Sequence, residues 1–374
     1  MRISTVKNER PRQNRATYLS ASLYFVVLPA AGTLAFALVG CCLAVRNINQ
    51  TPILMHIERN LRPGFIWQKY GWRPLLVFMV YDALIGFMYG PLDFHWLDIP
   101  WQPVATLGTA VAFYIGFKSN ASYSRFWEAR QLWGSVVNSS RTWTGRVLDF
   151  VRTPDDNYGY DSAEAEAHRR LVYRHIAWVN ALRLHLRRQT AELWQTEVVP
   201  FLLDPADHAL GQINNPPAQL VVRQGHDLRQ LSFNGMLTEF REVSMAETLR
   251  ELNNHQGACE RIKNTPFPRQ YAFFSYVFVI VFAVLLPLGL VEEFDSRVAL
   301  GPYHVWLMVP FATLVSWVFH TIEKVGHNSE NPFENGENDV SMSSICRSIE
   351  IDLRQMLAET NVPAPLQPVN DVLY

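Results

Sequence analysis

Cysteine is scarce in this sequence, and charge of either sign is closely balanced. The 374 residues include four cysteines, Cys41, Cys42, Cys259 and Cys346, whose spacing fits neither a metal-binding motif nor a disulfide framework. The 33 basic and 34 acidic residues leave a net charge of −1, which gives no reason to expect nucleic acid as a partner.

The common catalytic motifs are also missing. The sequence has no Gly-rich phosphate loop, no G-x-S-x-G, no H-E-x-x-H and no spaced set of Cys and His residues. These absences argue against an enzyme, and we expect neither a cofactor nor a metal site.

Long apolar segments are abundant instead, because 49% of the residues are hydrophobic. They alternate with charged segments, which is typical of a membrane protein with a large soluble part. The pattern predicts an all-α membrane protein with helical soluble regions at residues 118–270 and 321–374. We expect four core membrane helices, near residues 74–90, 103–117, 271–290 and 303–320.

The distribution of Lys and Arg predicts the orientation. The links 91–102 and 291–302 contain a single basic residue, Arg297, whereas basic residues are frequent at the opposite ends of the four helices. By the positive-inside rule, the helices form two hairpins whose open ends face the cytoplasm. We therefore expect a multi-pass protein of the cell (inner) membrane, with most of its soluble mass and its C-terminus in the cytoplasm.

Residues 1–54 form a separate N-terminal extension. Its first 15 residues are basic, and residues 20–45 are an uncharged apolar run. Three interpretations stay open: an extra membrane span, a signal-like segment, or a mis-assigned start upstream of Met55.

Residues 103–134 carry the most informative pattern. At helical spacing, Gly108, Ala112 and Gly116 form a ridge of small residues, which is how helices approach closely in lipid. The apolar part, 103–117, spans about 22 Å as a helix. It is shorter than the hydrocarbon core of about 30 Å, so we expect other protein to shield it.

A second ridge, Thr109, Phe113 and Phe117, lies beside the first. A short shielded helix with Phe along one ridge, leading directly into a charged helix, fits a symmetric pore. Around a rotation axis each subunit contributes one side chain to every ring, and apolar rings gate by dewetting.

Two charged features are open to more than one interpretation. Asp82 lies inside a predicted span, where it either hydrogen-bonds to a neighbouring helix or takes part in ion movement. A predicted helix at residues 163–201 is rich in Arg on its polar side. We favour a salt-bridged face over a cationic wall that concentrates anions.

Several stretches together resemble the bestrophin-like channels, in particular the bacterial branch. The longest is GFKSNASYSRFWEARQLWG at residues 116–134. The others, in the same order as in that family, are ERI at 260–262, TPFP at 265–268, NPF at 331–333 with Asn338 and Asp339, and IEIDL at 349–353. The resemblance extends over residues 55–363 and leaves residues 1–54 unexplained.

The resemblance implies a homopentamer in the lipid bilayer, so the partner is the chain itself. It also implies an axial pore for small inorganic ions, with a hydrophobic neck at Thr109, Phe113 and Phe117. Thr109 departs from the apolar residue usual there and makes the first ring more hydratable. The run 334–339 breaks up the acidic cluster with which the animal members bind calcium, so we expect no such site.

Selectivity for anions such as chloride is our expectation, because most of the family is so described and the Arg-rich helix could supply a positive field. The acidic side chains of the outer links favour the alternative, a cation-selective channel of the same fold. A membrane scaffold and a secondary transporter that uses Asp82 stay as further hypotheses.

Overall fold

The computed structural model describes residues 71–153, 162–295, 304–336 and 339–368, all within the unit Leu54–Tyr374. The N-terminal extension and the whole of its predicted apolar helix lie outside the described residues. The described part contains nine α-helices, which we number in chain order. They are α1 (Trp72–Tyr89), α2 (Trp101–Phe150), α3 (Ser162–Arg187), α4 (Thr190–Glu197), α5 (Pro216–Phe233), α6 (Glu239–Asn264), α7 (Arg269–Asp295), α8 (Val305–Asn328) and α9 (Met342–Met356).

Three of these helices are long and apolar enough to cross a membrane by length and composition: α1, α7 up to Phe294, and α8. The fourth predicted membrane helix is the first third of α2, which does not reach the same threshold. Its apolar run is about 15 residues long, and Lys118 ends it. The crossing of the bilayer by residues 103–117 therefore stays a prediction.

Helix α2 is continuous for 50 residues, which is about 75 Å at the usual helical rise. Pro103 falls in its first turn, where a missing N–H is tolerated. Its N-terminal part packs with α1, α7 and α8 around an apolar core that includes Val104, Val111, Ile115, Phe282 and Met308. Its C-terminal part packs with the soluble helices around a second core that includes Trp133, Trp143, Trp178, Leu228 and Leu249. One helix thus joins both cores.

The prediction of a single helix over residues 163–201 is wrong, because α3 ends at Arg187. Arg188 adopts a left-handed conformation with a φ of 58°, and the N–H of Gln189 bonds to the carbonyl of Leu184 at 2.9 Å. The chain then turns into α4. Seventeen of the 26 residues of α3 are buried, so α3 is the central helix of the soluble core.

Helices α2 and α7 approach each other closely at two glycines. A Cβ atom on Gly108 would lie 2.7 Å from Cε2 of Phe282, and one on Gly289 would lie 2.9 Å from Cγ2 of Val104. Both distances are too short for a real contact, so only glycine fits without movement of the neighbouring side chain. The close contact is between a small residue and a large one across the two helices.

We therefore expect Gly108→Ala to destabilise the membrane part, since overpacking typically costs about 1–3 kcal/mol. Gly134→Ala is the matched control, because Gly134 is on the same helix and a Cβ there would meet nothing within 4 Å. Thermal unfolding of the two purified variants in detergent measures the difference. Equal unfolding temperatures would contradict the packing described for Gly108.

Candidate ion pathway

Helix α2 carries a continuous stripe of exposed side chains along one face. In the membrane part the stripe consists of Thr109, Phe113 and Phe117, and the two Phe side chains are 65% and 68% exposed in the single chain. The three residues that the sequence groups as a possible pore wall therefore share a face that the rest of the described chain leaves uncovered. Their role as a neck stays a prediction.

The stripe continues below Phe117 with mostly polar residues. Its exposed members at helical spacing are Asn120, Ser124, Trp127, Gln131, Asn138 and Thr142. The sequence alone pointed to no role for these residues, although the same periodicity that relates Phe113 to Phe117 leads to them. The face changes from apolar to mostly polar at the position where α2 passes from one core to the other.

The hydroxyl groups on this face donate to the helix itself. Thr109 Oγ1 donates to the carbonyl of Ala105 at 3.0 Å, and Ser124 Oγ donates to that of Asn120 at 2.9 Å. Thr142 Oγ1 does the same to Asn138 at 3.0 Å. These groups present oxygen lone pairs outward, so Thr109 can still accept hydrogen bonds from water.

The ridge of small residues divides into two parts in the single chain. Gly108 is buried against Phe282, whereas Ala112 and Gly116 are exposed. A Cβ atom on Gly116 would meet nothing within 4 Å. The role of Ala112 and Gly116 in helix packing stays a prediction. Their packing partner would have to be a helix of another copy of the chain.

Asp82 is completely buried between membrane helices. Its Oδ2 atom accepts a hydrogen bond from Thr313 Oγ1 of α8 at 2.7 Å. Its Oδ1 atom is buried with no hydrogen-bond partner among the residues that the structure describes. The contact to Thr313 fits the interpretation of Asp82 as a group that joins two helices.

A buried ion pair lies directly below the aromatic part of the stripe. Lys118 Nζ of α2 is 2.9 Å from Glu323 Oε1 of α8, and the two side chains are 1% and 7% exposed. Ser119 packs close to Gly326 of α8 in the same region. This pair was not apparent from the sequence. The only indication of it there is that Lys118 and Glu323 each end an apolar run.

Arg125, farther along α2, hydrogen-bonds to three other segments of the chain. Its guanidinium donates to the carbonyl of Ile262 at 3.0 Å, to that of Thr265 at 2.8 Å and to that of Glu330 at 3.1 Å. These carbonyls belong to the end of α6, to the link before α7 and to the segment after α8. A single cation therefore satisfies backbone groups that the ends of two helices leave without internal partners.

The NPF segment forms a tight turn around Asp339. The Asp339 carboxylate accepts the backbone N–H groups of Glu334 at 2.6 Å and Gly336 at 2.9 Å, and burial raises the pKa of this carboxyl. Lys263 binds Glu334 at 2.9 Å.

In the described part of the chain, no three His, Cys, Asp or Glu side chains are placed to hold a metal ion together.

The Arg-rich helix α3 directs two of its cations into the interior. Arg174 binds Asp207 at 2.9 Å and also contacts Asp227, and Arg183 contacts Glu197. The interpretation as a salt-bridged face is confirmed for Arg174 and Arg183.

Arg187 lies farther along the same helix and donates to Ser343 at 2.7 Å. Burial and the neighbouring charge of Arg183 lower the pKa of the Arg187 guanidinium to about 10.

Comparison with known proteins places this arrangement in a family. Residues 68–355 match the family described as bacterial/fungal bestrophin protein. The chain belongs to the bestrophin family.

Curated relatives of this bestrophin are named as channel-forming proteins. It is 32% identical over 315 residues to the voltage-dependent anion channel-forming protein YneE of Escherichia coli K12. The aligned region covers 82% of this chain and 95% of the relative. It is 30% identical over 272 residues to the voltage-dependent anion channel-forming protein RSc3414 of Ralstonia nicotianae, covering 72% of this chain and 82% of the relative.

A solved structure shares the fold. The crystal structure of a bacterial bestrophin homologue from Klebsiella pneumoniae matches this bestrophin with a TM-score of 0.66 and 27% identity, over 77% of this chain and 98% of the other.

We expect the Lys118–Glu323 pair to respond asymmetrically to substitution. Lys118→Met alone or Glu323→Gln alone leaves a buried group without its partner and should destabilise the protein by about 3–5 kcal/mol. The double variant Lys118→Met with Glu323→Leu should recover most of that loss, because it removes both charges. Denaturant unfolding followed by tryptophan fluorescence measures each variant.

The control for this series is Arg250→Met, which removes the exposed pair between Arg250 and Glu247. An exposed pair contributes little, so this variant should unfold like the parent. If the single variants of Lys118 and Glu323 were as stable to denaturant as Arg250→Met, the buried pair would not be structurally important.

Proposed function

We propose that this bestrophin is a passive channel for small anions such as chloride, and that the exposed stripe of α2 lines its pore. The observation that carries the proposal is the exposure of Phe113 and Phe117 on a helix that is otherwise packed on its inner faces. A contiguous exposed apolar surface marks a site that faces another protein, a lipid or a ligand. The names of the curated relatives support the choice of an anion channel.

The pore requires more than one copy of the chain. One helix supplies only one wall, so a closed path needs several copies of α2 around a common axis. We propose a homopentamer, in agreement with the resemblance to bestrophins. Each level of the stripe then becomes a ring of identical side chains, with Thr109, Phe113 and Phe117 as three successive rings of a neck.

The neck would control conduction by its affinity for water. Two Phe rings without a fixed charge expel water from a narrow passage and so oppose the entry of hydrated ions. Thr109 would keep its ring wetter, since its hydroxyl oxygen can accept hydrogen bonds. The polar residues from Asn120 to Thr142 would line a hydrated vestibule below the neck.

We propose the cell membrane as the location, with the soluble helices in the cytoplasm. Three apolar helices and the membership of a membrane channel family support a membrane protein. The orientation rests on the basic residues at the ends of the helices that adjoin the soluble part, such as Arg73, Arg269 and Lys324.

We expect the double substitution Phe113→Ala and Phe117→Ala to enlarge the single-channel current severalfold, because it removes both aromatic rings and lets water fill the neck. Planar-bilayer recording of the purified protein measures this current. The control is Phe311→Ala, since Phe311 is 57% exposed but lies on α8. A loss of folded protein without any increase in current would favour the membrane scaffold over the channel.

Reversal potentials test the selectivity separately. Under a gradient of potassium chloride across the bilayer, an anion channel reverses near the equilibrium potential of chloride. We expect that result for the parent protein. Reversal near the equilibrium potential of potassium would replace our proposal with the cation-selective alternative.

A further inference from the structure

A groove lies between α1, α7 and α8 at the end of the membrane helices that adjoins the soluble part. It consists of two neighbouring cavities of about 580 Å³ and 380 Å³, which share the side chains of Tyr276, His320 and Lys324. Arg73 of α1 lines the larger cavity. The groove does not include any residue of the exposed stripe of α2.

The polar rim of the groove suits an anion. Arg73 and Lys324 contribute two cations, Tyr276 contributes a hydroxyl group and His320 contributes an imidazole ring. The carboxylate that lines the smaller cavity, Glu323, binds Lys118 on another side. Two cations and one carboxylate that is paired with Lys118 therefore line the groove.

The environment of Arg73 supports this interpretation. Its side chain is exposed, and its guanidinium lies over the ring of Trp72, 5.5 Å from the ring centre. A ligand of negative charge would offset the charge of this exposed guanidinium.

The inner wall of the groove is apolar. Val77, Phe78 and Ile280 line it, and the exposed apolar side chains of α1 extend it along the membrane. A free phosphate ion would make no use of this wall, whereas the acyl chain of a lipid would. Basic pockets between membrane helices are known to hold the headgroups of anionic lipids.

We propose that the groove binds an anionic phospholipid, with the headgroup phosphate at Arg73 and Lys324 and an acyl chain against Val77 and Ile280. The site is separate from the proposed pore and does not depend on which ion the channel conducts. It requires only that α1, α7 and α8 lie in a membrane.

Native mass spectrometry of the full-length protein in detergent tests the proposal directly. The purified assembly is titrated with phosphatidylglycerol and, in parallel, with phosphatidylcholine. We expect the parent protein to prefer phosphatidylglycerol. Arg73→Gln with Lys324→Gln should reduce that preference by roughly fivefold for each cation removed. Preference unchanged in the double variant would overturn the proposal.

The control is Arg269→Gln. Arg269 is exposed and begins α7, so it has the same charge and the same kind of helix position as Arg73, but it does not line the groove. We expect its preference for phosphatidylglycerol to match that of the parent. An equal loss in this control would overturn the site, because it would show diffuse attraction between the membrane surface and any basic residue.

Two further arms complete the test. Excess inorganic phosphate should leave the lipid bound, and displacement of the lipid would overturn the proposal in favour of a free-phosphate site. Arg73→Gln alone is the fallback if the double variant does not fold, because Arg73 is exposed. In this single variant, the logarithm of the preference for phosphatidylglycerol should fall by about half as much as in the double variant. An unchanged preference would overturn the proposal.

Discussion

The buried ion pair between Lys118 and Glu323 fixes how the longest helix of this bestrophin is oriented. Transfer of two charges out of water costs several kcal/mol for each ion, so the pair is tolerated only in a well-defined geometry. The pair holds Lys118 towards α8, on the same side of α2 as the buried Ile115 and Val111. Neighbouring positions on a helix are about 100° apart. Phe117 and Phe113 must therefore face away from the rest of the chain.

Arg125 extends the same constraint into the soluble part. Three of the stretches that resemble the bestrophins contain or adjoin the atoms that meet at this guanidinium: residues 116–134 supply the arginine, and the carbonyls come from Ile262 and Thr265. The third carbonyl is that of Glu330, which directly precedes a fourth stretch, NPF. These stretches are thus explained by how they hold α2, α6 and α8 together. Only the stretch 116–134 also contributes to the candidate pathway, through Phe117, Asn120, Ser124 and Gln131.

The sequence predicted what depends on periodicity and missed what depends on distant partners. The continuous α2, its two ridges and the outward position of Thr109, Phe113 and Phe117 follow from a spacing of 3.6 residues per turn. Glu323 lies 205 residues from Lys118, and Asp207 reaches Arg174 from the short 3-10 helix Pro205–Gln212, so no local pattern reveals either contact. The end of α3 at Arg187 was hidden for another reason, because the left-handed residue that follows it, Arg188, lacks the glycine signal that usually marks such a turn.

The buried contacts of α3 change where selectivity could arise in the proposed channel. The Arg-rich helix was expected to supply a positive field, but Arg174 and Arg183 are each neutralised by carboxylates. The hydroxyl groups of the stripe donate to their own helix and offer an anion only lone pairs. What remains along the stripe is a set of amide groups and the uncharged aromatic rings of Phe113, Phe117 and Trp127. In the proposed channel the discrimination between ions then rests on the cost of removing water at Phe113 and Phe117, so the neck determines both how much current passes and which ion carries it.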